Sequence, residues 1–253
     1  MIQLKNAQEL AKMRRACQIS AEALKLGGRS IEAGMTTADL DKIIYDYIKR
    51  HGARPNFKGL YGFPGTACIS INDEVIHGIP SHSRQIRPGD IVSIDTGAAI
   101  NGFNGDNACT FPCGKVDIEA QRLMDVTKES LHRGIAAAVA GNRVGDIGHA
   151  VQSYVEENGF SVVRSFVGHG VGKELHEDPG VPNYGHAGHG VRLVNGMTIA
   201  IEPMVNQKHH SVKTLSDGWT VVTADGGLAA HFEHSIAILP GGPEILTIGW
   251  EEP

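Results

Sequence analysis

Only four cysteines occur in 253 residues, and no Lys/Arg block or long apolar run is present. Cys17, Cys68, Cys109 and Cys113 are too few and too scattered for a disulfide scaffold. Cys109 and Cys113 have no second pair to close a structural zinc site, so all four read as reduced, non-ligand thiols. A spanning helix needs about 18 consecutive apolar residues, and their lack excludes one. Lys and Arg number 23 against 28 Asp and Glu, a formal net charge of −5. That acidic balance argues against nucleic acid or a membrane surface as the main partner. Met1-Ile2-Gln3-Leu4-Lys5-Asn6 has no apolar core of a secretory signal, so a cytoplasmic location is expected. Aromatics make up only 6%, whereas glycine is plentiful at 32 residues, which points to tight turns and close backbone approaches.

What the chain does contain is an internal repeat. One offset lays Asp95 on Glu202, Gly34 on Gly141, Asp39 on Asp146, Tyr47 on Tyr154 and Gly52 on Gly159. It also aligns Gly89-Asp90-Ile91-Val92-Ser93-Ile94-Asp95 with Gly196-Met197-Thr198-Ile199-Ala200-Ile201-Glu202, two apolar strands that each end in an acid. A fixed period of this kind is the mark of duplicated architecture. Two related halves, about 1–115 and 116–253, are expected to form a single catalytic domain over 1–253, with a site shared between them. The four residues Phe111-Pro112-Cys113-Gly114 are too short a link to separate independent units.

Helical period is clearest in the repeated segment, where Leu40, Ile43, Ile44, Tyr47 and Ile48 match Ile147, Ala150, Val151, Tyr154 and Val155. Thr36 and Asp39 form a capping box, and Gly52 and Gly159 stand where helices end. An earlier helix is expected from about Asn6 to Gly27, with Leu10, Met13, Cys17 and Leu24 inward, and its echo from about Asp117 to Gly134. Strands are expected around Thr66–Ile71, Asp90–Gly97 and Asn104–Phe111, then Ser161–Phe166, Met197–Val205, Trp219–Thr223 and His231–Leu239. Two helices followed by a strand group, twice over, predict an α+β fold with an antiparallel sheet covered by helices.

The chemistry gathers on the strand ends. Asp95 enters and Asp106 leaves a hairpin whose turn centres on Ile100-Asn101 or on Asn101-Gly102. Either register puts both carboxylates on one face, because side chains alternate with period two. No Lys or Arg lies between Ile91 and Gly114, so a bound cation is the natural counter-charge. Glu202 ends a strongly apolar strand, and Glu233 stands in Phe232-Glu233-His234. Each acid alone reads equally well as an ordinary polar face residue. Together with the duplication they read as a metal site, since an unpaired buried charge is costly. Gly168-His169-Gly170 strips side chains from beside an imidazole so that a ligand can approach it, with His176 and His77 as further candidates. Most of the other ten histidines read as solvated surface residues, among them His149, His186, His189, His209 and His210.

Four carboxylates with one or two imidazoles and no thiolate suit Mn, Fe(II), Co or Zn. Four negative charges are too many for one dication, so two divalent ions per chain are expected. Such a pair, about 3.5–4 Å apart, activates water for hydrolysis. Lowering water's pKa from 15.7 to about 7 is worth on the order of 12 kcal/mol, more than any side-chain base here could supply.

These residues, in this order, resemble the type I methionine aminopeptidases. The likeness is carried by Cys68-Ile69-Ser70-Ile71-Asn72, His77-Gly78-Ile79-Pro80, Ile94-Asp95 with Gly105-Asp106, and Gly168-His169-Gly170-Val171-Gly172 with His176-Glu177. It continues in Ile201-Glu202-Pro203-Met204, Asp217-Gly218-Trp219 and Phe232-Glu233-His234. The resemblance implies the pseudo-two-fold, duplicated pita-bread (creatinase/aminopeptidase) fold. It implies removal of the initiator methionine from peptides and nascent polypeptides with a small second residue, by a water or hydroxide that a metal pair activates. By position it makes Asp95, Asp106, His169, Glu202 and Glu233 the metal ligands, with Asp106 and Glu233 bridging. Glu202 would also be the general base, His77 would meet the scissile nitrogen, and His176 the carbonyl oxygen. Phe63, Cys68, Leu175 and Trp219 would receive the methionine side chain. A monomer with only transient ribosome contact is expected.

Two positions depart from the family pattern. Asn107 follows Asp106 where Thr or Ser is usual, and Leu175 replaces a common aromatic. The nearest rival, a proline-specific peptidase of the same fold, usually carries a large additional N-terminal domain. A non-catalytic binding protein on this fold would have lost ligands, whereas all five positions here are competent.

Overall fold

Helix starts follow the caps that the sequence encodes. The Asn6 side chain accepts from the N–H groups of Gln8 and Glu9 while Glu9 reaches back, which opens α1 (Ala7–Arg29). Thr36 and Asp39 do the same for α2 (Thr37–Arg50). The computed structural model describes residues 2–250. After α2 come β1 (Arg54–Pro55), a 3₁₀ turn at Leu60–Gly62, β2 (Ala67–Ile71), β3 (Glu74–Ile76), β4 (Ile91–Ile100) and β5 (Phe103–Pro112). The chain then runs through α3 (Ile118–Ala137), α4 (Val144–Glu157), β6 (Ser161–Val162), β7 (Gly168–Gly170), β8 (Glu177–Val181) and β9 (Thr198–Ile201). It ends with β10 (Met204–Asn206), β11 (Val212–Thr214), β12 (Val221–Thr223), β13 (Ala229–His231), β14 (Glu233–Leu239) and β15 (Gly242–Ile245). Among the described residues no helix is long and apolar enough to cross a membrane.

The offset that aligns Asp95 with Glu202 carries the bounds of α2 onto those of α4, both 14 residues long. It carries the isolated bridge Thr36–Gln85 onto Arg143–Arg192, and the bond from Gly34 N–H to the Ile86 carbonyl onto that from Gly141 to Leu193. A nine-stranded sheet runs β1-β4-β5-β14-β9-β7-β8, with β2 added on β4 and β15 on β14, every pair antiparallel. The fold is therefore α+β with a curled antiparallel sheet and four helices, as the sequence predicts.

Three strand expectations need correction. The segment Met197–Val205 is two strands, because Pro203 lacks the N–H that would continue the ladder, and Glu202 stands just past the end of β9. The segment His231–Leu239 divides at Phe232, and Ser161–Phe166 is a strand only at its first two residues.

Alternation decides which face does what. The turn Asn101-Gly102 has φ of 54° and 79°, the left-handed pair of a tight hairpin, and it sets Asp106 opposite Gly97 and Asp95 opposite Ala108. Of the two possible turns, this is the second. Gly105 turns toward α1, and a Cβ there would lie 2.5 Å from the Cys17 backbone, so β5 and α1 touch main chain to main chain. Asp106 and Ala108, one step either way, face the opposite side. Ile94 likewise points into the helix layer with Ile19, Leu24 and Ile44, all fully buried.

Gly105→Ala is expected to cost about 1–3 kcal/mol through overpacking. Thermal unfolding of the variant should show Tm lowered by several degrees; an unaltered Tm would mean that α1 slides freely on β5.

Candidate active site

A cavity of about 260 Å³ opens on the sheet face away from the helices. All eleven site residues expected from the sequence line it: Phe63, Cys68, His77, Asp95, Asp106, His169, Leu175, His176, Glu202, Trp219 and Glu233. Phe57, Leu60 and Tyr61 complete the lining and were not expected. For Leu60 and Tyr61 the signal was the glycine-flanked apolar run Gly59-Leu60-Tyr61-Gly62-Phe63.

Strand register builds the acidic floor. Ala108 on β5 is flanked by Asp95 on β4 and Glu233 on β14, each its direct partner. Asp106, two residues earlier on β5, lines the same cavity as Asp95 and Glu233. His234 pairs with Ile201 at the end of the β14–β9 ladder, and Glu233 and Glu202 are the residues just beyond that pair. Ligand atoms of Asp106, His169 and Glu233 lie within 4.8 Å of one another. His169 Nε2 is 3.6 Å from Asp106 Oδ2 and 3.5 Å from Glu202 Oε1.

His169 sits in the middle of β7, between β8 and β9. A Cβ on Gly168 would be 2.3 Å from the Ala200 carbonyl oxygen, and one on Gly170 2.2 Å from that of Asp178. The glycines thus admit neighbouring backbones, which corrects the expectation that they clear space for a ligand. His169 Nδ1 donates to the Gly170 carbonyl at 2.9 Å. That bond fixes the tautomer and leaves Nε2 as an acceptor facing carboxylate oxygens. Asp95 Oδ1, Asp106 Oδ1 and Glu233 Oε1 are buried without hydrogen-bond partners. Among the described residues no lysine or arginine lines the cavity.

A set of acceptors facing one another without a donor is what a divalent cation would satisfy, and oxygen with imidazole nitrogen is the donor chemistry of Mn, Fe(II), Co or Zn. The titration shifts agree. Burial and mutual repulsion hold Asp95, Glu202 and Glu233 well above the usual carboxylate range, and burial pushes Asp106 up to about 7. Burial draws both His77 and His169 down to about 4, helped by His176, and lowers His176 itself. These imidazoles are neutral at pH 7.

The two remaining imidazoles face the cavity from its rim. His77 follows β3 with φ of 60°, a strained left-handed backbone for a residue with a Cβ, and its ring meets those of Phe166 and Trp219 edge-on. His176 precedes β8, with its ring 4.5 Å from that of His169 and stacked against exposed Tyr61 at 6.1 Å. Phe63, Cys68 and Leu175 join Phe57 in one buried cluster, with Trp219 packed on it at 5.1 Å from Phe63.

Two histidines correct the surface reading given to most of the others. His231 and His234 are 1% and 0% exposed. His231 Nε2 lies 3.7 Å from Glu202 Oε2, and burial together with His77 draws it down to about 3. Its signal was the two-residue step to Glu233, which the split at Phe232 did not interrupt.

The model of Metallopeptidase family M24 matches residues 11–240. A methionine aminopeptidase of Clostridium perfringens is 55% identical over 248 residues, covering 98% of this chain and 99% of that protein. Methionine aminopeptidase 1 of Bacillus subtilis is 51% identical over 247 residues with the same coverage. The crystal structure of methionine aminopeptidase from Thermotoga maritima superposes with a TM-score of 0.96 at 45% identity, over 98% of this chain and 99% of that one. A prolidase from Pyrococcus furiosus shares the fold at a TM-score of 0.79, but it is 23% identical and this chain covers only 65% of it. With the family's pattern running through most of its length and full-length relatives at about half identity, the chain belongs to metallopeptidase family M24 and, within it, to the methionine aminopeptidases.

Proposed function

We propose that the chain removes the initiator methionine from peptides and nascent polypeptides with a small second residue, using the cavity residues in the roles that follow. The observation that carries this reading is the convergence of four buried carboxyl groups and the free Nε2 of His169 with no cationic side chain among them. Asp95, Asp106, His169, Glu202 and Glu233 would hold two divalent ions. Those ions would supply Lewis acidity and lower the pKa of water. The pseudo-symmetric halves work as one catalytic domain, since acids of both halves share one sheet face. The enzyme acts as a cytoplasmic monomer, in transient contact with the ribosome.

Glu202 takes the proton of the attacking water, since its carboxyl lines the cavity with Oε1 3.5 Å from His169 Nε2. Neutral His176 donates to the carbonyl oxygen as negative charge develops there, and His77 meets the scissile nitrogen and the leaving amine. Phe63, Cys68, Leu175 and Trp219 hold the methionine thioether. The Cys68 thiol is kept neutral by burial and nearby Asp95, so it offers a polarisable rather than a charged wall.

Turnover of Met-Ala-Ser, with an X-Pro peptide as the rival substrate, tests the reading. A chelator should abolish activity and Mn, Co, Fe(II) or Zn should restore it; hydrolysis of the X-Pro peptide alone would overturn the assignment. Glu202→Gln is expected to lower kcat by about 10²–10⁴-fold with KM little changed and the fold intact. Full activity in that variant would remove Glu202 from the base role.

Metal removal should also leave a mark on stability. Through pH 7, the value to which Asp106 is raised, the raised carboxyls bind more protons in the folded chain than in the unfolded one. Stability of the metal-stripped protein therefore falls as pH rises through that value. Below it the depressed histidines act in the opposite sense. Thermal unfolding in chelator should give a lower Tm at pH 8 than at pH 6.5, and added metal should flatten the slope; a Tm that climbs across this range contradicts the sign.

A further inference from the structure

The connection from Gly172 to His176 carries two cavity residues, Leu175 and His176, yet it belongs to no strand. Its backbone is held from outside. Asn104, at the start of β5, donates its N–H to the Gly172 carbonyl at 2.8 Å. Its side-chain amide reaches the carbonyls of Gly172 and Lys173 at 3.0 and 2.9 Å. At the far end Glu177 Oε1 accepts from the N–H groups of Lys173 and Glu174 at 2.8 and 3.2 Å, which curls the loop over its own carboxylate.

The other oxygen of Glu177 meets the ammonium of Lys5, in an ion pair whose side chains are 3% and 4% exposed. Lys5 comes from the segment ahead of α1, 172 positions away in sequence. Its own N–H donates to the Gly196 carbonyl at 2.8 Å, in the turn that leads into β9, and its ammonium also reaches the Gln3 carbonyl at 3.0 Å. The loop closes directly on the pair: a Cβ on Gly172 would lie 2.4 Å from Lys5 Cε and 2.6 Å from Glu177 Oε1.

We propose that Lys5 is a positioning residue for substrate binding, clamping the Glu177 carboxylate so that the loop presents Leu175 and His176 to the cavity. A buried carboxylate without a counter-charge would turn toward water and release the two N–H groups that it now holds. The loop would then lose the curl that sets the His176 ring beside His169 and Leu175 beside Phe63. Lys5 reaches no group in the cavity and acts only through Glu177. The proposal rests on the roles given above to His176 and Leu175.

The test is Lys5→Met, which keeps the length of the stem and removes the charge. On Met-Ala-Ser, kcat/KM should fall at least tenfold with KM raised, while Mn²⁺ affinity measured by calorimetry stays within twofold of wild type. Lys5→Arg should recover most of the loss. Should Lys5→Met fail to fold, Lys5→Gln leaves Glu177 a polar neighbour but no counter-charge, and it should fold yet remain at least tenfold impaired. A crystal structure of whichever variant folds should show His176 displaced from His169. The proposal is overturned by kcat/KM within twofold of wild type in either variant, by Mn²⁺ affinity falling in step with activity, or by an unmoved His176 ring. Wild-type turnover in the same assay checks the peptidase reading separately, and the ring position answers for Lys5 whatever that turnover is.

Discussion

Four carboxyl groups converge on one cavity, two of them on the direct strand partners of Ala108, and among the described residues no lysine or arginine lines it. In a medium of low dielectric such a cluster repels itself by several kcal/mol, so the strands that carry it must be held together by something else. What holds them is the continuous ladder from β4 through β5 and β14 to β9, with a fully buried aliphatic layer beneath it. The fold tolerates an acidic site that a single hairpin could not. The unfavourable charge is in turn what makes the cavity a strong acceptor of divalent cations.

The same pleat separates support from chemistry. On β5, Gly105 and Phe111 meet α1, and Asp106 faces the cavity. Gly105 lets the helix backbone sit directly under Asp106, so the carboxylate is anchored on a contact with no side chain to flex. On the far side His169 is fixed in a similar way, by glycines that let β8 and β9 close on β7 and by the Gly170 carbonyl that sets its tautomer. The proposed ligands sit on main chain packed tightly enough to hold their geometry, whereas His77 and His176 sit at strand ends where a substrate can reach them.

Much of this was legible beforehand, for reasons tied to particular residues. Asp95 and Asp106 share a face in either hairpin register, because alternation is indifferent to a shift of two; which register holds was decided by the left-handed Asn101-Gly102 turn. The repeat relates Glu202 to Asp95, while the apolar run around it hides the interruption at Pro203 that ends β9 at Ile201. His231 escaped notice because a histidine among alanines looks like any surface position until β13 is folded beneath the cavity. Tyr61 and Phe57 escaped because their approach depends on a loop path that carries no periodicity.

Local rules written in neighbouring residues determined the helices, their caps and the chemical character of the acids and imidazoles. Those features depend on side-chain type and on spacings of two to four residues, which sequence states directly. Tertiary structure alone decided which atoms face each other: that Glu233 stands beside Ala108, that His231 approaches Glu202, and that Lys5 reaches Glu177 from the other end of the chain. Such encounters follow from strand order and from packing between segments distant in sequence, and no short-range pattern records them.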